Sequence, residues 1–169
     1  QHGPLDVVHG IQNSCNVFFS EMGHRLSMDE NGNYSPELGI EKIRKYASMF
    51  GLDETSGIEI AEREPQMTTE KPEASSIGQG KNSYSNVQLS RYITAVANKG
   101  TVFKLSLLDK MTDSQGNLLK DFTPEVRSTI DVKDSTWNAV HTGMRRVISD
   151  GSARKIFSDL EVDIAGKTG

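Results

Sequence analysis

Three short stretches carry side chains able to do chemistry together. Lys167-Thr168-Gly169 places an ammonium and a hydroxyl beside a residue with no side chain. That combination is an electropositive seat for an anion, with clearance for an extended ligand. Its plain counterpart is a surface lysine at a strand end, but the tripeptide arises by chance in only roughly a few per cent of chains this size. Ser14-Cys15-Asn16 sets a hydroxyl and a carboxamide two positions apart. The hydroxyl can relay a proton and the amide can hold a carbonyl. The same pattern also caps helices, and S-x-N occurs in about every second chain of this length. Ser152-Ala153-Arg154-Lys155 matches S-x-x-K, the pattern in which a serine nucleophile and a lysine base share one helix face. It lies so soon before Lys167 that it reads better as a capped helical turn.

Other titratable residues form no such group. His2, His9, His24 and His141 are scattered without metal-ligand spacing, so no metal is expected. Glu62 and Glu64 have no identifiable carboxylate partner. Lys42 with Lys45, and Arg145-Arg146, read as solvated helix faces. The formal net charge is −4 and no basic stripe exists, which argues against a nucleic-acid partner. No apolar run approaches the roughly 18 residues of a membrane span. Gln1-His2-Gly3-Pro4 lacks the basic start and apolar core of a signal peptide. Cys15 is alone, so no internal disulfide can form.

The elements that must position these groups follow from periodicity. Residues 6–26 carry Val7, Val8, Ile11, Cys15, Phe18, Phe19, Met22 and Leu26 at helical spacing. Asn13 to Asn16 interrupt it with residues that favour caps, so the spacing predicts helix, short break, helix, with Ser14 and Asn16 at the break. Asn31-Gly32-Asn33 is a turn, and Ser35-Pro36-Glu37 starts a helix that Gly51 stops. Residues 52–76 are loop-rich, with a short strand expected at Ile58-Glu59-Ile60 and a tight backbone passage at Ile77-Gly78-Gln79-Gly80. A helix is expected over about Asn86 to Asn98, lined by Leu89, Ile93, Val96 and Ala97. Thr101 to Met111 reads as strand, and Ser114 to Asn117 as a turn. Asp134-Ser135 opens the strongest amphipathic helix, with Trp137, Val140, Met144, Val147 and Ile148 on one face and Asp150-Gly151 as its end. Alternation of Leu160, Val162 and Ile164 predicts a final strand delivering Lys167-Thr168-Gly169.

In sequence these pieces resemble the transpeptidase domain of class B penicillin-binding proteins. Ser14-Cys15-Asn16 with Phe18-Phe19 resembles that family's S-x-N motif and its following helix. Phe50-Gly51-Leu52 then Gly57-Ile58-Glu59-Ile60 resembles F-G-L…G-I-x-[IL]. Ile77-Gly78-Gln79-Gly80, Val87-Gln88-Leu89 and Ala97-Asn98-Lys99-Gly100 resemble I-G-Q-G…P-L-Q…A-N-x-G. Met144-x-x-Val147 with Gly151-Ser152-Ala153 resembles M-x-x-V…G-T-A, and Ala165 to Gly169 is similar to A-G-K-T-G. Each motif is weak alone; their order and spacing across nearly the whole chain make the likeness specific. Two departures stand out. Asn86-Val87 replaces the usual Thr-Pro, and nothing before Ser14 matches the family's S-x-x-K.

The resemblance implies an α+β, penicillin-binding protein transpeptidase and serine β-lactamase-like fold, mostly its helical lobe with the start of the antiparallel sheet. Residues 1–169 would be one partial transpeptidase domain. It implies a D,D-transpeptidase that cross-links peptidoglycan stem peptides through a serine acyl-enzyme and is inhibited by β-lactams. Ser14 would relay a proton, Asn16 would bind the substrate amide and help position the catalytic lysine, and Lys167 and Thr168 would bind the terminal carboxylate with clearance at Gly169. The nucleophile is absent from residues 1–169, so the piece alone is expected to be inactive. No cofactor is implied. Implied partners are stem peptides ending in D-Ala-D-Ala, β-lactams and wall-synthesis proteins. The implied location is the outer face of the cytoplasmic membrane, anchored by an N-terminal helix outside this chain. The missing initiator Met and the end at a strand fit a fragment. Alternatives are a β-lactam sensor or serine β-lactamase of the same fold, or a non-catalytic peptide-binding module.

Overall fold

A computed structural model describes residues 2–169. In chain order the elements are α1 (Val7–Gln12), α2 (Asn16–Leu26), α3 (Pro36–Met49), α4 (Pro72–Ser75), α5 (Asn86–Ala97), β1 (Thr101–Lys104), β2 (Lys110–Thr112), β3 (Leu118–Asp121), β4 (Glu125–Thr129), α6 (Asp134–Ser149) and α7 (Arg154–Phe157). The chain divides into two compact units. One comprises residues 2–43, Thr68–Lys81 and Val132–Gly169; the other comprises Arg44–Met67 and Asn82–Asp131. No helix among the described residues is long and apolar enough to cross a membrane.

In the first unit the apolar face of α6 supplies the core. Val147 and Ile148 are buried with Ile11 of α1 and Ala153, and Phe19, Val140, Met144 and Ile164 pack around them. Each buried valine or isoleucine side chain among them contributes roughly 1.5–3 kcal/mol. Close approach of α1 to α6 depends on Gly143, where a Cβ would lie 2.8 Å from Cβ of Ile11. The helix–break–helix expected over residues 6–26 is present as α1, Asn13-Ser14-Cys15 and α2. The turn at Asn31-Gly32-Asn33 is held by Asp29, whose carboxylate accepts from the N–H groups of Asn31 and Asn33 at 2.9 and 2.8 Å.

The second unit pairs β1 antiparallel to β4, with a register shift between Val102 and Phe103. α5 packs on β1. A capping box of Ser85 and Gln88 starts α5. β2 and β3 form an antiparallel hairpin, whose turn is closed by Asp113 accepting from the N–H groups of Gln115 and Asn117.

Four expectations need correction. Leu89 and Ile93 of α5 are 41% and 45% exposed, while Gln88 and Arg91 are 0% and 2% exposed. The buried pair satisfies loop backbone: Gln88 donates to the carbonyl of Arg63, and Arg91 to those of Thr55 and Gly51. Ile58-Glu59-Ile60 forms no strand, because its link to residues 106 and 107 runs through the Glu59 carboxylate instead of a backbone ladder. The expected strand from Thr101 to Met111 is broken by a turn in which the Ser106 hydroxyl bonds both the N–H and the carbonyl of Leu108. The final strand is also absent: no described segment pairs with Leu160–Ile164, Leu160 and Val162 are exposed, and only Ile164 joins the core. α4, inside the region read as loop, was not expected; Pro72 at its first position suits a helix start.

Candidate active site

Ser14 sits where α1 ends. The N–H of Cys15 donates to the carbonyl of Gly10, and that of Ser14 to Ile11, both at 3.1 Å. This pair of bonds is a Schellman ending, which requires a left-handed residue at the position Ser14 occupies. Ser14 has φ +49°, a region that glycine enters without cost and serine does not. The turn therefore projects a hydroxyl from a place the backbone would reserve for glycine. Cys15 is buried, which ties the turn down between α1 and α2.

Lys167 reaches this hydroxyl from the other end of the chain. Its ammonium donates to Ser14 Oγ at 2.6 Å, joining residues 153 positions apart, and to the Thr168 carbonyl at 2.5 Å. An ammonium has three protons, so one remains for an anion. Ser14, accepting from Lys167, keeps its own proton to pass on. Burial lowers the Lys167 pKa from the ordinary lysine value, because it disfavours the charged form. The segment carrying Lys167 hangs from α6: the Gly166 N–H donates to the carbonyl of Met144 at 3.1 Å, and Arg145 donates to the carbonyl of Ile164 at 3.0 Å and to the Asp163 carboxylate. Lys167-Thr168-Gly169, expected on a strand, thus lies on a segment without regular secondary structure that is pinned to a helix.

Of the remaining residues singled out in the sequence, Asn16 is the first residue of α2, with an exposed side chain that bonds no described residue. It lines an open cavity of about 750 Å³ together with Ser14, Cys15, Val17, Phe18 and Leu5. Gly169 is exposed, and a Cβ there would meet nothing within 4 Å. Thr168 Oγ1 lies 3.0 Å from Ser152 Oγ. Ser152 precedes Ala153, the N-cap of α7, and caps nothing; it stands outside the helix that carries Lys155. The serine of S-x-x-K therefore belongs beside Lys167-Thr168, a placement that the motif match concealed. Gly151-Ser152-Ala153 was the available signal.

The structure brings the Lys167 ammonium against the Ser14 hydroxyl and the Thr168 hydroxyl against that of Ser152, while the Asn16 carboxamide and Ser14 line the open cavity. Such a set can bind a carboxylate, orient an amide and move a proton. Among the described residues no group of three or more His, Cys, Asp or Glu could hold a metal ion.

Penicillin-binding protein 2A of Bacillus subtilis is 27% identical over 187 residues, covering 99% of this chain and 25% of that protein. Peptidoglycan D,D-transpeptidase MrdA of Escherichia coli is 25% identical over 185 residues, covering 99% of this chain and 27% of that protein. The chain spans about a quarter of the length of these relatives. In fold it is similar to penicillin-binding protein 2B of Streptococcus pneumoniae, with a TM-score of 0.83 at 22% identity over 98% of this chain and 30% of that one. The family model of the penicillin binding protein transpeptidase domain matches residues 1–169, and the chain belongs to that family.

Proposed function

We propose that the protein is a peptidoglycan D,D-transpeptidase that cross-links stem peptides in the cell wall through a serine acyl-enzyme. The observation that carries this reading is the 2.6 Å hydrogen bond from Lys167 to Ser14 Oγ. It joins the two sequence motifs into one site. The acylating serine is assigned to a position outside residues 1–169, since no S-x-x-K precedes Ser14. That serine attacks the carbonyl of a D-Ala-D-Ala terminus, and the leaving D-Ala amine takes a proton through Ser14. Asn16 holds the substrate amide. Lys167 and Thr168 bind the terminal carboxylate by charge-assisted hydrogen bonds, and Gly169 leaves room for the peptide. A second stem's amine then displaces the serine and forms the cross-link. β-Lactams inhibit by acylating the same serine. The reaction is placed at the outer face of the cytoplasmic membrane, with an anchoring helix outside residues 1–169 and other wall-synthesis proteins as partners.

Labelling of the intact protein with a fluorescent penicillin tests the reading. A long-lived adduct on a serine outside residues 1–169 is expected, with Lys167→Ala and Ser14→Ala greatly slowing its formation. Residues 1–169 alone are expected to take no label. Rapid hydrolysis of the adduct would favour a β-lactamase of the same fold. Absence of any adduct on the folded intact protein would overturn the enzyme reading.

A further inference from the structure

We propose that Ser152 is a positioning residue for anion recognition: its hydroxyl donates to Thr168 Oγ1 and so turns the Thr168 proton outward, toward an anion seated beside Lys167. The inference rests on the proposed reading of Lys167-Thr168 as a carboxylate seat. Its own support is the 3.0 Å separation of Ser152 Oγ and Thr168 Oγ1 and the way both residues are held.

Ser152 is locked by its neighbours. A Cβ on Gly151 would lie 2.6 Å from the carbonyl oxygen of Gln12 and 2.7 Å from Cα of Val147, so the turn lies directly against α1 and α6. Ala153 is 2% exposed and its N–H donates to the carbonyl of Val147 at 3.1 Å. Between two such anchors Ser152 has little backbone freedom. Thr168 follows a segment fixed to the same helix through Gly166 and Met144. The two hydroxyls are therefore placed by one scaffold, α6.

Proton accounting then sets the direction of the bond. Each hydroxyl has one proton, and a carboxylate only accepts. If Thr168 donated to Ser152, it would turn lone pairs toward the anion. If Ser152 donates, Thr168 keeps its proton for the anion, and accepting one bond strengthens the bond it gives. The second arrangement is the one compatible with an anion beside the Lys167 ammonium.

The test compares acylation of the intact protein by benzylpenicillin and by its methyl ester, which lacks the carboxylate. The wild-type protein is expected to react faster with the acid. Ser152→Ala is expected to lower the acid-to-ester rate ratio by about fivefold, the loss of one positioned hydrogen bond, at an unchanged thermal midpoint. Ser152→Thr, which keeps the hydroxyl, is expected to retain the ratio. An unchanged ratio in Ser152→Ala, or an equal fall with both compounds, would overturn the positioning role. If the wild-type protein forms no adduct, or reacts equally with acid and ester, the reading of the seat itself fails, and the role of Ser152 with it.

Discussion

Gly10 of α1 faces the ring of Phe18 in α2 so closely that a Cβ on Gly10 would lie 2.6 Å from Phe18 Cδ1. The two helices that flank Asn13-Ser14-Cys15 touch at this point, and their closeness sets the turn between them. Gly10→Ala gains about 1 kcal/mol of helix propensity and loses about 1–3 kcal/mol to overpacking. A net destabilisation of about 1 kcal/mol is expected in chemical denaturation of the intact protein, with slower penicillin labelling as the turn is displaced. Stabilisation with unchanged labelling would show that the contact does not set the turn.

Ser14→Gly separates stability from chemistry at a single position. Ser14 holds φ +49°, and left-handed backbone costs a residue with a Cβ about 1–2 kcal/mol. Glycine removes that strain but adds about 0.5–1 kcal/mol of chain entropy. The variant is expected to be as stable as the parent or up to about 1 kcal/mol more stable. Losing the proton relay is expected to slow acylation by about a hundredfold or more. A variant that is less stable yet equally reactive would contradict both assignments.

The alkaline limb of the pH–rate profile should report Lys167. On the proposed reading the protonated form binds the carboxylate, and burial lowers its pKa from the ordinary value of 10.5. Acylation by a penicillin is therefore expected to decline as pH rises through a value below that of free lysine, while the methyl ester shows no such limb. Stability moves the other way. Between the folded and unfolded pKa values the unfolded chain holds more protons, so folding becomes more favourable as pH rises. A limb shared by acid and ester would point to another group.

Glu62 should make the unit containing β1 and α5 sensitive to acid. Burial pushes its pKa up, but hydrogen bonds from the hydroxyl and N–H of Ser56 and from the hydroxyl of Ser85 outweigh this, and the net shift is downward from 4.5. Those bonds are 2.8, 2.7 and 2.9 Å long. A lowered carboxyl pKa gives stability that is present above the unfolded value and lost as pH falls through the folded one. Glu62→Gln is expected to cost about 2 kcal/mol at neutral pH and to flatten the acid limb of a urea-midpoint profile. An unaltered acid limb would place the sensitivity elsewhere.

Helices α1, α2, α3, α5 and α6 were legible because each carries apolar residues at helical spacing between recognisable breaks. α5 shows where that reasoning stops. Its existence followed from periodicity, but its buried face did not, because Gln88 and Arg91 are polar and are buried by what they bond in distant loops. Strands were less legible still. Leu160, Val162 and Ile164 alternate as a strand should, yet a strand is defined by a partner ladder that alternation cannot supply. At the site, Ser14, Lys167 and Thr168 were visible as motifs, but the contact between Ser14 and Lys167 was not. Ser152 was visible and read as the cap of a helical turn, but it caps nothing, and its hydroxyl meets Thr168, a partner that local sequence cannot show.

Ala153 and Ile164 are both held in the core around α6, and residues 154–163 between them are all exposed. Lys167 is therefore indexed by the register of a helix and not by the length of chain leading to it. Residues 154–162 form a bypass that can lengthen or shorten without moving the ammonium. One residue added within α6 would instead rotate Met144 and Arg145 by about 100° and 1.5 Å along the axis, and the tail would lose its mooring. Tolerance to insertion should change abruptly at Ala153: strict before it, permissive after it, and strict again from Asp163.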